Sequence, residues 1–400
     1  MESRHGVYVH IPFCAVRCDY CDFATWTDRG HLVADYVDAC VRDVQRRDIP
    51  PATSVFFGGG TPSLLDAAQL TRILDAVHVA PGAEVTVECN PDSVDAAKLR
   101  AYVSAGVNRV SFGVQSMRAH VLADLGRTHD PANVERAVGW ARDAGIERVN
   151  LDLIYGSPAE RTADWEATLD AALALAPSHV SAYALTVESG TPLGRAVAAG
   201  ERAAPDDDDQ AARYEIADDR LAAAGLHWYE ISNWARPGEE CRHNLLYWSG
   251  GEYTPIGCAA HGHAVDRRTG TSRRSWNVRT PERYVRALAT GADPEAGAEE
   301  LDPAAARAER MVLALRTRTG IKLGGPDADL GDVHACIDSL AAVGLLDRRG
   351  DNAVLTRRGR LLANEVAARL LAALDRAAGP PSARSTSGGP VPAAAATGTR

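Results

Sequence analysis

Three cysteines stand within eight positions near the start of this 400-residue chain: Cys14, Cys18 and Cys21. Thiolates grip iron or zinc, and a structural zinc site or an ordinary iron–sulfur cluster takes four such ligands. Only three are local here. A [4Fe–4S] cubane held by three cysteines leaves one iron open to an outside ligand, which suits chemistry in which a cofactor binds the metal directly. The alternative is a zinc knuckle completed by a distant ligand such as His10 or Cys40, although zinc fingers usually pair their ligands at two-residue spacing. Cys40, Cys89 and Cys336 read as small buried hydrophobes.

A second feature is Phe57-Gly58-Gly59-Gly60-Thr61-Pro62. Backbone without side chains lets N–H groups approach a ligand closely. A glycine triplet alone is weak; behind the cysteine cluster it carries more. A third is Cys241-Arg242-His243-Asn244-Leu245-Leu246-Tyr247-Trp248. A neutral imidazole can ligate iron, and the two aromatics offer flat faces to a macrocycle, with Arg236 and Arg242 available to propionates. Residue types alone leave this level with a bland reading, in which His243 and Asn244 satisfy a loop and the aromatics fill a junction. Cys241, Cys258, His261 and His263 are further candidate ligands.

These groups need a frame. Short β-branched and aromatic runs recur at 7–11, 54–57, 84–89, 109–114, 148–155 and 179–185, separated by amphipathic stretches such as 32–46, 67–79 and 131–144. Strands alternating with helices predict a parallel α/β sheet. Six such units are too few for a closed eight-fold barrel and suit an open, partial one. Glycines follow several of these strands, at the ends that carry chemistry in such folds. The expected organisation is a core over 1–200, an extension bearing the His243 motif over 201–303, a small helical domain over 304–376 and a disordered tail over 377–400. Asp206 to Asp209 read as a helix start, where carboxylates meet free N–H groups. Residues 228–276 read as turn-rich and aromatic. Helices at 307–316 and 333–343, a hairpin at 345–355 and a last helix at 357–374 resemble a winged helix.

Composition sets bounds. The formal net charge is −10, with 43 Lys and Arg against 53 Asp and Glu, which argues against broad nucleic-acid binding. No run of 18 apolar residues and no signal segment is visible, so the expectation is a cytoplasmic chain, at most peripherally membrane-associated, with reduced thiols.

Set in Tyr8-Val9-His10-Ile11-Pro12-Phe13-Cys14, the cysteine spacing identifies the sequence as similar to the radical S-adenosylmethionine (SAM) superfamily. It resembles specifically the branch holding oxygen-independent coproporphyrinogen III dehydrogenases and haem chaperones, over residues 6 to about 375. The resemblance implies a partial (β/α)6 barrel carrying a [4Fe–4S] cluster on Cys14, Cys18 and Cys21. It implies SAM held by Tyr8, by Gly59, Gly60 and Thr61 of the glycine motif, and by Glu88. Gln115, Arg127 and Asp152 match positions that contact a second SAM in the dehydrogenases.

Two departures separate the branches. The dehydrogenases resemble C-x3-C-x2-C-x-C, and the position of their further cysteine is Phe23 here. They also carry a longer segment before the tyrosine. The H-N-x-x-Y-W motif is typical of the chaperones, which implies haem as cargo, His243 as first candidate ligand and an apo-haemoprotein as acceptor. An electron donor is implied if SAM is cleaved, and haem-linked homodimerisation is compatible with the resemblance. The other reading is an enzyme that oxidatively decarboxylates coproporphyrinogen propionates.

Overall fold

The computed structural model describes residues 4–324 and 331–377, so the expected disordered tail falls outside the described residues beyond Ala377. Six strands lie side by side in chain order: β1 (His5–Ile11), β2 (Ala52–Gly59), β3 (Val79–Cys89), β4 (Arg109–Gln115), β5 (Arg148–Tyr155) and β6 (His179–Ala184). Every neighbouring pair among them is parallel. Their β-branched runs are buried almost throughout, as a sheet covered by crossover helices requires. The covering helices include Val33–Arg46, Ala67–Ala76, Pro131–Asp143 and Thr162–Ala174. Each presents an apolar stripe inward; in Pro131–Asp143 the buried residues are Val134, Ala137, Val138 and Ala141.

The segment expected to be turn-rich is instead largely strand. It supplies β7 (His227–Glu230), β8 (Asn233–Ala235), β9 (Glu252–Ile256), β10 (His261–Asp266) and β11 (Thr271–Asn277), followed by β12 (Glu295–Leu301). β9 lies parallel to β1, while β10 to β12 continue antiparallel beyond it and β8 and β7 extend the opposite edge. The result is an open sheet of 12 strands with β12 and β7 at its ends. These strands escaped the sequence pattern because they are short and polar, and β9 contains Pro255. Their edge is held by cross-strand ion pairs, such as Arg274 with Glu299 at 2.7 Å and Arg273 with Glu300 at 3.1 Å.

The aspartate run does begin a helix, Asp207–Ala223, whose cap residue Asp206 accepts the Asp209 N–H at 2.9 Å. Beyond it, helix Pro303–Leu315, β13 (Ile321–Lys322), helix Gly331–Ala342, β14 (Leu346–Arg349) and β15 (Asn352–Leu355) follow in chain order, the three strands forming a small antiparallel sheet. The expected last helix is broken into Arg357–Leu361 and Ala363–Ala377, because Leu362 leaves helical geometry at φ −112° and ψ 26°. Leu315, Ile337, Leu340, Leu346, Val366 and Leu370 form a hydrophobic cluster separate from that of the large sheet. Arg360 ties the two together, 2.6 Å from the Asp218 carboxylate and 4.5 Å over the Trp228 ring. Among the described residues no helix is long and apolar enough to cross a membrane.

One buried phenol joins the ends of β1 and β9. Tyr36, fully buried on the Val33–Arg46 helix, donates to His10 O at 2.8 Å and accepts the Cys258 N–H at 2.8 Å. Replacing Tyr36 by Phe strips that N–H of its partner in a place water does not reach. The expected loss is about 1–3 kcal/mol, read as a lower urea midpoint; an unchanged midpoint would show the hydroxyl to be dispensable.

Candidate functional site

The carboxyl ends of β1 to β6 open into a cleft of about 310 Å³, at the low end of ordinary ligand pockets. Ligands in parallel α/β sheets bind at this end. Ten of the twelve residues assigned above to the cluster, to SAM or as first haem ligand line it: Cys14, Cys18, Cys21, Gly59, Gly60, Thr61, Glu88, Gln115, Arg127 and Asp152.

The cysteines ride on the loop after β1, which is closed at its base. Trp26 N–H donates to Pro12 O at 2.8 Å and Cys14 N–H to Trp26 O at 3.0 Å. The turn after β2 then presses on this loop, with Gly60 N–H on Ile11 O and Thr61 N–H on Phe13 O, both at 2.8 Å. No side chain fits between. A Cβ on Gly60 would stand 2.7 Å from Phe13 O and 3.0 Å from Cys14 Sγ, and one on Gly59, at φ +110°, would strike the His10 ring at 2.4 Å. Glycine is therefore demanded here by close approach and by backbone conformation together. All three thiols are half-buried, and burial raises those of Cys14 and Cys21, the latter to about 11. A metal must displace those protons to bind. Among the described residues no three His, Cys, Asp or Glu side chains stand in single-ion coordination geometry.

Two carboxyl groups face the cleft beside the glycines. Glu88 accepts the Gly59 N–H at 3.1 Å. Burial, and then the Asp152 charge, push its carboxyl up to about 8, against the pull of that N–H. Asp152 accepts from Ser111 Oγ at 2.7 Å and from Asn150 Nδ2 at 2.8 Å, yet burial still raises it. Gln115 ends β4 at φ +62°, beside a register shift between β4 and β5. A non-glycine residue held in that conformation at the rim of a cleft marks strain of the kind found at ligand sites.

Tyr8 and His243 stand outside this group. Tyr8 is buried beneath the cleft with Phe56, Cys241 and Ala260. His10 Nε2 bonds to Ala24 O at 3.0 Å, and burial lowers this imidazole to about 4, so the neutral ring donates there and accepts from the Tyr8 hydroxyl at Nδ1, 3.1 Å away. Tyr8 thus steadies the ring that packs against Gly59.

His243 stands at the other end of the sheet. It lies on the helix Arg242–Trp248 near Gly6 and Ser54, toward the amino ends of β1 and β2 and away from the cleft. It is fully buried, with Nδ1 bonded to Ser54 Oγ at 2.9 Å and Nε2 to Tyr247 OH at 2.8 Å. Burial drives its pKa down to about 3. As placed, both ring nitrogens are spent on protein partners, and the motif closes the amino end of the sheet. Cys241 and Cys258 are buried as well; His263 donates to Gly251 O at 2.8 Å, and His261 is exposed beside Trp276.

Ser111, Tyr20 and Tyr183 also line the cleft and were not foreseen. Tyr183 sits near the end of a strand visible in the sequence, the one signal that could have found it. Ser111 faces the cleft from mid-strand, and Tyr20 belongs to an irregular loop.

Residues 8–172 match the family model of the Radical SAM superfamily. The chain is 46% identical over 378 residues to heme chaperone HemW of Mycobacterium tuberculosis, covering 92% of this chain and 94% of that one. It is 34% identical to heme chaperone HemW of Bacillus subtilis, covering 90% and 97%. The structure of coproporphyrinogen III oxidase (HemN) from Escherichia coli, a radical SAM enzyme, superposes with a TM-score of 0.79 at 20% identity, over 92% of this chain and 90% of that one. The strand order, the cleft at the carboxyl ends and similarity along nearly the whole length agree: the chain belongs to the radical SAM superfamily and, within it, to the HemW family.

Proposed function

We propose that this protein is a haem chaperone that binds haem and passes it to an apo-haemoprotein, carries a [4Fe–4S] cluster and binds SAM. The observation that carries the reading is the near full-length similarity to proteins named heme chaperone HemW. The residues fit the cofactors. Three half-buried thiols on one loop suit a cubane with an open iron, and beside them the glycine turn lines the same cleft, pressed so close to His10 and Phe13 that no Cβ fits. Cys14, Cys18 and Cys21 would hold the cluster. Gly59, Gly60, Thr61 and Glu88 would hold SAM, the carboxylate suiting ribose hydroxyls. When bound, such a cluster supplies low-potential single electrons. Phe23, where the dehydrogenases resemble a further cysteine, supports cargo handling over decarboxylation. The test has two arms. Haem added to the protein should give a Soret band that moves to an apo-haemoprotein supplied later. Anaerobic incubation with coproporphyrinogen III, SAM and reductant should yield no protoporphyrinogen, and its formation would assign the enzyme reaction instead.

The burial of His243 generates a separate expectation. His243→Ala abandons Ser54 Oγ and Tyr247 OH, so it should lower stability by about 1–3 kcal/mol. Below its melting point, the variant should take up haem with the wild-type spectrum. A folded variant whose Soret band is lost or displaced would restore His243 as the haem ligand.

Glu88 gives the ligand-free protein a pH dependence of known sign. Its folded pKa, about 8, lies above the ordinary carboxylate value, so the native state holds a proton that the unfolded chain has released. The stability contributed by that protonated group is present in acid and fades as pH rises toward 8. In urea unfolding, Glu88→Gln should gain on wild type between pH 5 and pH 8; a constant difference would show that Glu88 ionises freely.

A further inference from the structure

Arg127 is tied into the cysteine loop in a way that the SAM contact expected of it does not explain. It follows the turn at Gly126, φ +68°, and its own N–H closes that turn on Leu122 O at 2.8 Å. The same turn packs against the loop. Asp19 N–H reaches Leu125 O at 3.4 Å, and a Cβ on Gly126 would stand 3.0 Å from Asp19. From there the guanidinium divides its donors. Nη2 donates to Gly113 O at 2.7 Å, and Nη1 to Cys18 Sγ at 3.4 Å. Gly113 permits this, since a Cβ there would lie 3.1 Å from Nη2. Nε is buried with no hydrogen-bond partner among the described residues.

The fork is thus anchored by one arm on rigid backbone, and the other arm is aimed at a single cysteine sulfur. A fixed cation that donates to a ligating sulfur stabilises whichever cluster state carries more negative charge. One-electron reduction adds a negative charge, so the bond favours the reduced state and raises the potential. We propose that Arg127 is a positioning residue that sets the reduction potential of the cluster on Cys14, Cys18 and Cys21 through its bond to Cys18 Sγ. The proposal rests on the reading that these cysteines hold a [4Fe–4S] cluster. Lysine would not substitute fully, because one ammonium cannot span Gly113 O and Cys18 Sγ as a rigid planar fork does.

The test is an anaerobic titration of the reconstituted full chain, without SAM, using titanium(III) citrate. Titanium(III) gives one electron to the oxidised cluster and becomes titanium(IV), and the reduced cluster is counted by its paramagnetic resonance signal. Wild type, Arg127→Gln, Arg127→Met and Arg127→Lys are compared, with iron content measured on each. Both neutral variants should shift the reduction equilibrium at least tenfold toward the oxidised state, about 59 mV for a one-electron couple. Arg127→Lys should fall between them and wild type. Equal potentials in wild type and a neutral variant of equal iron content would overturn the proposal, even if that variant bound SAM poorly. If the neutral variants lose their iron, the lysine variant decides, and a potential equal to wild type again overturns it. Variants that all lose iron while keeping the wild-type fold would also overturn it, making Arg127 a requirement for assembly. A wild-type chain that takes up no [4Fe–4S] cluster would instead defeat the underlying cluster reading.

Discussion

The close approach of two backbone segments at the carboxyl ends of β1 and β2 governs the rest of the site. Parallel pairing leaves each strand end pointing the same way, and the two turns that follow must share one small space. Gly60 and Thr61 donate into the carbonyls of Ile11 and Phe13, so the glycine turn and the cysteine loop become one body. Such a contact tolerates no side chain, and the buried ring of His10 occupies the volume a Cβ on Gly59 would need. Cysteine placement, the N–H that Glu88 accepts and the depth of the cleft follow from this clasp.

Around the clasp the sheet interior is polar, which is costly unless its groups pair. Asn150 shows how this is met. Its amide nitrogen serves Ser111 Oγ, Asp152 Oδ1 and Ser181 Oγ, while its oxygen meets His179 Nδ1 at 2.6 Å. His179 continues to Tyr229 OH at 2.8 Å, and that hydroxyl accepts the Cys241 N–H at 3.4 Å. At the other end of the strands, buried Glu84 accepts the His243 N–H at 3.2 Å and lies 3.5 Å from Arg148. The segment rich in potential ligands is therefore tied down by the same network that orients Asp152. Within it, both ring nitrogens of His243 are bonded to protein partners.

That outcome separates two kinds of motif. The cysteine loop and glycine turn combine residue types that have few structural reasons to occur together, so their proximity in space was legible from the chain. His243, Tyr247 and Trp248 are types that cores use constantly, so residue type alone left both readings open, and the structure buries all three, with His243 bonded to Ser54 and Tyr247. Ten of the expected site residues share one cleft. Tyr8 supports it through His10, and His243 lies away from it, because a strand's two ends look alike in sequence.

The sequence by itself determined the alternation of strand and helix, the position of the cysteines after the first strand and the glycines after the second. Each is local: it depends on periodicity, or on a backbone conformation that only certain residues adopt. Tertiary structure alone decided that polar segments such as Thr271–Asn277 become strands, since they are held by ladder pairing and cross-strand ions and not by an apolar period that the chain displays. It alone placed Arg127 on Cys18, across a separation of 109 residues, and buried His243 against Ser54, across 189. Burial and hydrogen-bond occupancy are properties of the packed neighbourhood, and no spacing rule carries them.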